Sequence, residues 1–119
     1  MEDTTHLIDK SAVEKYIDKD KRKKERNLND IRKILSTPEG RRFYWRLLSN
    51  AGCFLQSYTG ELNSTIFNEG RRSIGLDFLN DVLEAKPSSY SQMQDEYQSE
   101  LKMEEQIEKE EQEKQNAQI

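Results

Sequence analysis

The stretch Ser36-Thr37-Pro38-Glu39-Gly40-Arg41-Arg42-Phe43-Tyr44-Trp45-Arg46-Leu47-Leu48 decides the fold class of this 119-residue chain. A hydroxyl residue, then proline, then glutamate is how a helix begins. The hydroxyl accepts from an orphan N–H, and proline has no N–H to lose. Ser36 and Glu39 also stand at capping-box spacing. The helix carries Phe43, Trp45 or Leu47, Leu48 and Ala51 and stops at Gly52. Its aromatic residues lie on more than one face, so more than one neighbour is expected. Glu39-Gly40-Arg41-Arg42 returns as Glu69-Gly70-Arg71-Arg72, again within helical periodicity.

Working outward, the helical period recurs along the chain. Residues 1–9 read as a loose terminus. Val13, Tyr16 and Ile17 then form one apolar stripe. Asp18 to Arg26 holds no apolar residue and reads as solvated helix or unfolded chain. Leu28, Ile31, Ile34 and Leu35 suit a short helix capped by Asn27 or Asn29. Residues 53–63 read as a turn region. A helix from about Thr65 to Ala85 follows, ended by Lys86-Pro87. A last helix, capped by Ser88 or Ser89, carries Tyr90, Met93, Tyr97 and Leu101, with Met103 and Ile107 extending it weakly. Beyond Glu108 the chain is expected to fray or be disordered.

No segment alternates as a strand would. The expected fold is all-α, a small core of three to four helices with long charged helical or disordered N- and C-terminal extensions. The expected core is Phe43, Trp45, Leu48, Phe67, Ile74, Phe78, Leu79 and Val82. Gly70 and Gly75 each cost about 1 kcal/mol against alanine inside a helix. That cost predicts close helix packing at both.

Composition divides the chain into a charged basic arm at 1–27, a helical core at 28–94 and an acidic helix or tail at 95–119. Trp45, all four Phe and all five Gly lie in the middle part. Only 33% of residues are apolar against 35% charged, so little core can form. The net charge of −4 hides an asymmetry: residues 10–33 hold ten Lys/Arg against five Asp/Glu, and residues 95–119 hold three against nine. Such a chain can pair head to tail with its copies, or offer its basic arm to nucleic acid or an acidic protein. No intramolecular disulfide can form from Cys53 alone. No apolar run is long enough to span a membrane, and the first twenty residues lack a signal peptide pattern. A reducing cytoplasm is the default expectation.

Catalysis finds no support. His6 and Cys53 are the only histidine and cysteine; a dyad would need His6 to reach Cys53, and no third group stands out to orient it. No zinc spacing occurs. Gly70 and Gly75 are not followed by Lys-Ser/Thr, so no P-loop is present. No catalytic residue, metal site or cofactor is expected. Acidic pairs such as Glu104-Glu105 read as a solvated helix.

The candidate site residues are arginines: Arg41, Arg42, Arg46, Arg71 and Arg72. One reading pairs them with Glu39 and Glu69 in an ion-pair lattice between the two glycine-bearing helices. The other turns them outward toward phosphate or a partner's carboxylates. The basic run Lys19–Arg26 invites a nucleic-acid reading, but no aromatic residue is interleaved for base stacking.

Segment 30–95 resembles a small family of tailed-bacteriophage proteins of podovirus type, encoded near head and tail structural genes. The resemblance runs from Asp30-Ile31-Arg32-Lys33-Ile34-Leu35 through the opening stretch. It continues with Ala51-Gly52-Cys53-Phe54, Ser57-Tyr58-Thr59-Gly60 and Phe67-Asn68-Glu69-Gly70-Arg71-Arg72-Ser73-Ile74-Gly75-Leu76. It implies a phage context and no established activity. The expected role is a non-enzymatic structural accessory protein of the virion, assembled in the host cytoplasm. It would bind in several copies to portal, tail, internal ejection proteins or capsid interior, with no membrane contact. The alternative is a nucleic-acid-associated protein acting in DNA packaging or regulation.

Overall fold

The computed structural model describes residues 4–118, with side chains from residue 10. Four helices follow in order: α1 (Thr4–Ile34), α2 (Pro38–Asn50), α3 (Leu62–Ala85) and α4 (Ser88–Ala117). No strand occurs among the described residues. The fold class is therefore all-α.

Several boundaries differ from expectation. Residues 1–3 of the expected loose terminus lie outside the described residues, and the helix already runs from Thr4. The separate short helix at Leu28 does not exist; α1 passes unbroken through Asp18–Arg26. That stretch contains no glycine or proline, and its Lys, Arg, Glu and Asp residues stand at helical pair spacings. For the same reason α4 does not fray at Glu108 but continues to Ala117, with Gln106 donating to Glu110 at 3.2 Å. The divisions at 27/28 and 94/95 thus fall inside single helices.

The hydroxyl-then-proline start of α2 is as expected: Thr37 Oγ1 accepts from the Gly40 N–H at 3.0 Å, and Pro38 is the first helical residue. Ser36 does not form a capping box with Glu39; its Oγ donates back to Lys33 O at 2.6 Å. Two other starts shift. α3 starts three residues before Thr65 with no side-chain cap, and α4 starts after Pro87 rather than on a serine cap.

The core sits where the helices meet. Leu35 just beyond α1, Leu48 of α2, Val82 of α3 and Met93 of α4 are each at most 2% exposed. Tyr44 and Cys53 complete the cluster, with Ile31, Trp45, Leu79 and Tyr90 packed at its edge. Tyr44 donates to Phe78 O at 3.0 Å, and burial, with Asp81 adding, pushes its phenol up to about 12.

Four expected core residues are not in it: Phe43, Phe67, Ile74 and Phe78 are all exposed. For three of them the reason lies in α3, whose apolar residues spread around the helix. α1, α2 and α4 all pack on it, and what they bury is Gly75, Val82 and Ala85. Leu62, Ile66, Phe67 and Ile74 are left exposed.

Both glycines of α3 were expected at close contacts; only one is. A Cβ on Gly75 would lie 2.5 Å from both Ala51 Cβ and Cys53 Sγ, whereas a Cβ on Gly70 would meet nothing within 4 Å. Gly40 has no such freedom either, because a Cβ there would run into the Ile34 carbonyl at the end of α1.

The outer halves of α1 and α4 touch little. Residues 10–27 and 98–118 are exposed throughout. The molecule measures 97 × 39 × 16 Å. Helices of 31 and 30 residues are each about 45 Å long at 1.5 Å per residue. The long axis is twice that, so the two arms leave the core in different directions. Where α1 crosses α3, Arg32 Nε donates to Ala85 O at 2.7 Å, satisfying an orphan carbonyl at the α3 end. Lys24 reaches Glu84 at 3.4 Å.

Two stability measurements follow. Gly75→Ala should lower the unfolding free energy clearly, and Gly70→Ala should raise it by up to about 1 kcal/mol. Urea denaturation checks both. Burial, then the Glu84 and Asp77 carboxylates, raise the Asp81 pKa, with Lys24 opposing. A raised carboxyl favours the fold while protonated, and that contribution is lost as pH rises through the folded value. Asp81→Asn should therefore raise Tm at neutral pH, and the gain should vanish below about pH 3.9.

Candidate functional site

The exposed faces of α2 and α4 meet in a groove of about 580 Å³. Pro38, Arg41, Arg42 and Trp45 of α2 form one wall. Met93, Glu96, Glu100 and Met103 of α4 form the other. A second recess of about 390 Å³ opens on the far side of Trp45, between Ser49, Phe54, Leu55, Tyr97 and Gln98.

Arg41 builds the floor. It is buried, its Nε donates to Glu96 Oε1 at 2.8 Å, and its Nη1 donates to Leu35 O at 3.0 Å. The first bond ties α2 to α4. The second fills a carbonyl left over where α1 ends. A buried guanidinium needs both partners, and a charge-assisted bond at this distance is among the stronger kinds.

Trp45 forms the ridge between the two recesses. Its ring stacks on Phe54 at 4.8 Å and lies tilted against Tyr97 at 5.4 Å and Tyr90 at 6.2 Å. Phe54 and Tyr97 remain 41% and 37% exposed. The indole N–H is buried with no acceptor, so Trp45 contributes area rather than a hydrogen bond. Half-covered Trp, Tyr and Arg side chains beside a groove are the composition of a protein-binding hot spot.

The five candidate arginines do not form one patch. Arg41 is structural, and Arg42 lines the groove. Arg46 lies over the Phe43 ring at 5.5 Å, and Arg71 over the Phe67 ring at 5.8 Å. Arg72 is half-buried with an unpartnered Nε. Burial pushes the Cys53 thiol up, against the pull of Arg72, so this cysteine is a protonated core residue.

The expected ion-pair lattice is absent. Among the described residues no ion pair joins the two Glu-Gly-Arg-Arg segments; Arg41 takes Glu96 instead of Glu39 or Glu69. The segments differ because Gly40 and Arg41 sit against the end of α1, whereas Gly70 faces solvent. Nor does the acidic tail cover the basic arm: no ion pair joins Lys19–Arg26 to α4 among the described residues.

No group of three or more His, Cys, Asp or Glu could hold a metal ion among the described residues, and no described helix is long and apolar enough to cross a membrane. His6 lies outside the described side chains. The sequence reading missed Glu96, Phe54 and Tyr97 as site residues. Tyr90 and Tyr97 are seven apart on one helix face, which was a usable signal. Glu96 is one acid among many and gave none.

Arg41→Ala should destabilise the fold by about 2 kcal/mol, since it strands the buried Leu35 carbonyl and unties α2 from the half-exposed Glu96. Arg42→Ala, at an exposed position, should stay within about 0.5 kcal/mol of the parent. Paired chemical denaturation curves measure the contrast.

The family model described as Bbp19-like phage protein matches residues 31–95. That span holds every buried residue described except Leu28 and omits most of both arms. Comparison with curated proteins gives no match, and neither does comparison with solved structures. The matched span exceeds half of the 119 residues, and the chain belongs to the Bbp19-like phage protein family.

Proposed function

We propose that this phage protein is a non-enzymatic structural accessory component of the virion. In this reading it binds in several copies to a larger assembly, such as the portal, the tail, the internal ejection proteins or the capsid interior. The observation that carries the reading is the exposed apolar surface. Val13, Tyr16, Ile17, Leu55, Tyr58, Leu62, Ile66, Phe67, Ile74 and Met103 are each more than half exposed on a body 16 Å thin. Single exposed apolar residues are ordinary, but a scaffold with this many invites cover by a partner. The half-covered aromatic ridge at Trp45 and the exposed Arg42 supply anchors of the type that dominate protein interfaces.

Nucleic-acid association in packaging or regulation is the second reading. It is favoured by one observation: the basic run of α1 is exposed and unoccupied by the acidic tail, with Lys24 alone of the run paired to another helix. Phosphate contacts of that kind lose affinity steeply as salt rises.

Quantitative mass spectrometry of purified, DNase-treated particles separates the readings. A fixed copy number relative to the major capsid protein is expected. Absence from mature particles would remove the virion reading, and a salt titration of DNA binding would then test the second.

A further inference from the structure

We propose that the exposed arm of α1 docks along the exposed arm of α4 of a second copy of this chain. The two arms carry matching rows. On α1, Lys10, Val13, Ile17 and Lys21 follow at spacings of three, four and four. On α4, Glu100, Met103, Ile107 and Glu111 follow at the same spacings. Each row is one stripe along a helix face. Each has an apolar pair at its centre and charges at its ends, basic on one arm and acidic on the other.

Both rows are open. Val13 and Ile17 are each 55% exposed, Met103 66% and Ile107 44%, and the four charged residues are exposed too. The rows do not meet within one chain, because the arms leave the core in different directions along a 97 Å axis. The surroundings reinforce the match. Lys19–Arg26 holds six Lys/Arg, and residues 95–119 hold nine Asp/Glu against three Lys.

A second copy supplies what each row lacks. Its acidic row brings an apolar pair to Val13 and Ile17 and carboxylates to Lys10 and Lys21. Every copy then gives one arm and receives one, a heterologous contact that closes into a ring or runs on as a filament. Exposed ion pairs are individually weak and salt-screened, so the contact gains strength by repetition around an assembly. It does not rest on the virion reading. Self-association of the purified chain tests it, whereas particle mass spectrometry tests occupancy.

The experiment is analytical ultracentrifugation of the full chain at low and high salt, with two full-length charge reversals. One is Lys10→Glu with Lys21→Glu; the other is Glu100→Lys with Glu111→Lys. The parent should associate at low salt and dissociate at high salt. Each double variant alone should associate at least about tenfold more weakly, a loss of about 1.4 kcal/mol. An equimolar mixture should regain association, because each reversed arm finds its complement on the other variant. Val13→Ser with Ile17→Ser should weaken association without altering charge. Circular dichroism checks that the helices persist in every variant. A parent that stays monomeric at low salt overturns the proposal, including one that binds duplex DNA through α1 instead. Association unchanged in both reversals, or a mixture no stronger than its parts, overturns it equally.

Discussion

The Arg41 guanidinium is the interaction on which the arrangement of the helices depends. It reaches Leu35 O at the end of α1 and Glu96 on α4, from a backbone position in the first turn of α2. Three of the four helices are thereby fixed to one buried cation. The fourth, α3, is held by packing and by its own polar bonds: Val82 enters the core, Gly75 lets the end of α2 approach, Tyr44 donates to Phe78 O, and Arg32 of α1 donates to Ala85 O. A core of so few residues could not orient two helices of about 45 Å by apolar contact alone. The polar clamp supplies direction that the small apolar cluster lacks. Gly40 is part of the same corner, since only a residue without Cβ passes the Ile34 carbonyl there.

The sequence made the helices legible and the corner partly so. Thr37-Pro38 marks the α2 start because cap chemistry is local. The all-α class, the end of α3 and the start of α4 on either side of Pro87 follow from period and punctuation. The continuous length of α1 was not legible, because a charged stretch without apolar residues reads equally as helix or as coil. What failed was the inference from repetition. Two identical Glu-Gly-Arg-Arg segments suggested two equivalent surfaces, yet Arg41 of the first is buried at a helix corner, while Glu69, Gly70 and Arg71 of the second face solvent. A tetrapeptide fixes local charge and backbone freedom; its environment is set by residues far along the chain, such as Leu35 and Glu96. The core list erred for a related reason. Phe67 and Ile74 are apolar at helical spacing, but the pattern on α3 marks two faces, and only tertiary contacts choose which is covered.

The covered part of the molecule coincides closely with the family match. Residues 31–95 contain the clamp corner, the aromatic ridge and nearly the whole core, with Glu96 standing just outside. The arms that flank this part have opposite charge and little internal packing. A conserved division of labour is not needed to see the physical consequence. Most buried contacts lie in the centre, and the arms present surface.

The arms stand away from a small clamped core instead of folding back on each other. Small-angle X-ray scattering of the monomer at high salt measures this. Arms held apart give a radius of gyration at or slightly above 23.0 Å. A compact chain of this length would give about 13.5 Å. A value near that lower figure would mean that basic α1 lies on acidic α4 within one molecule, contrary to this arrangement.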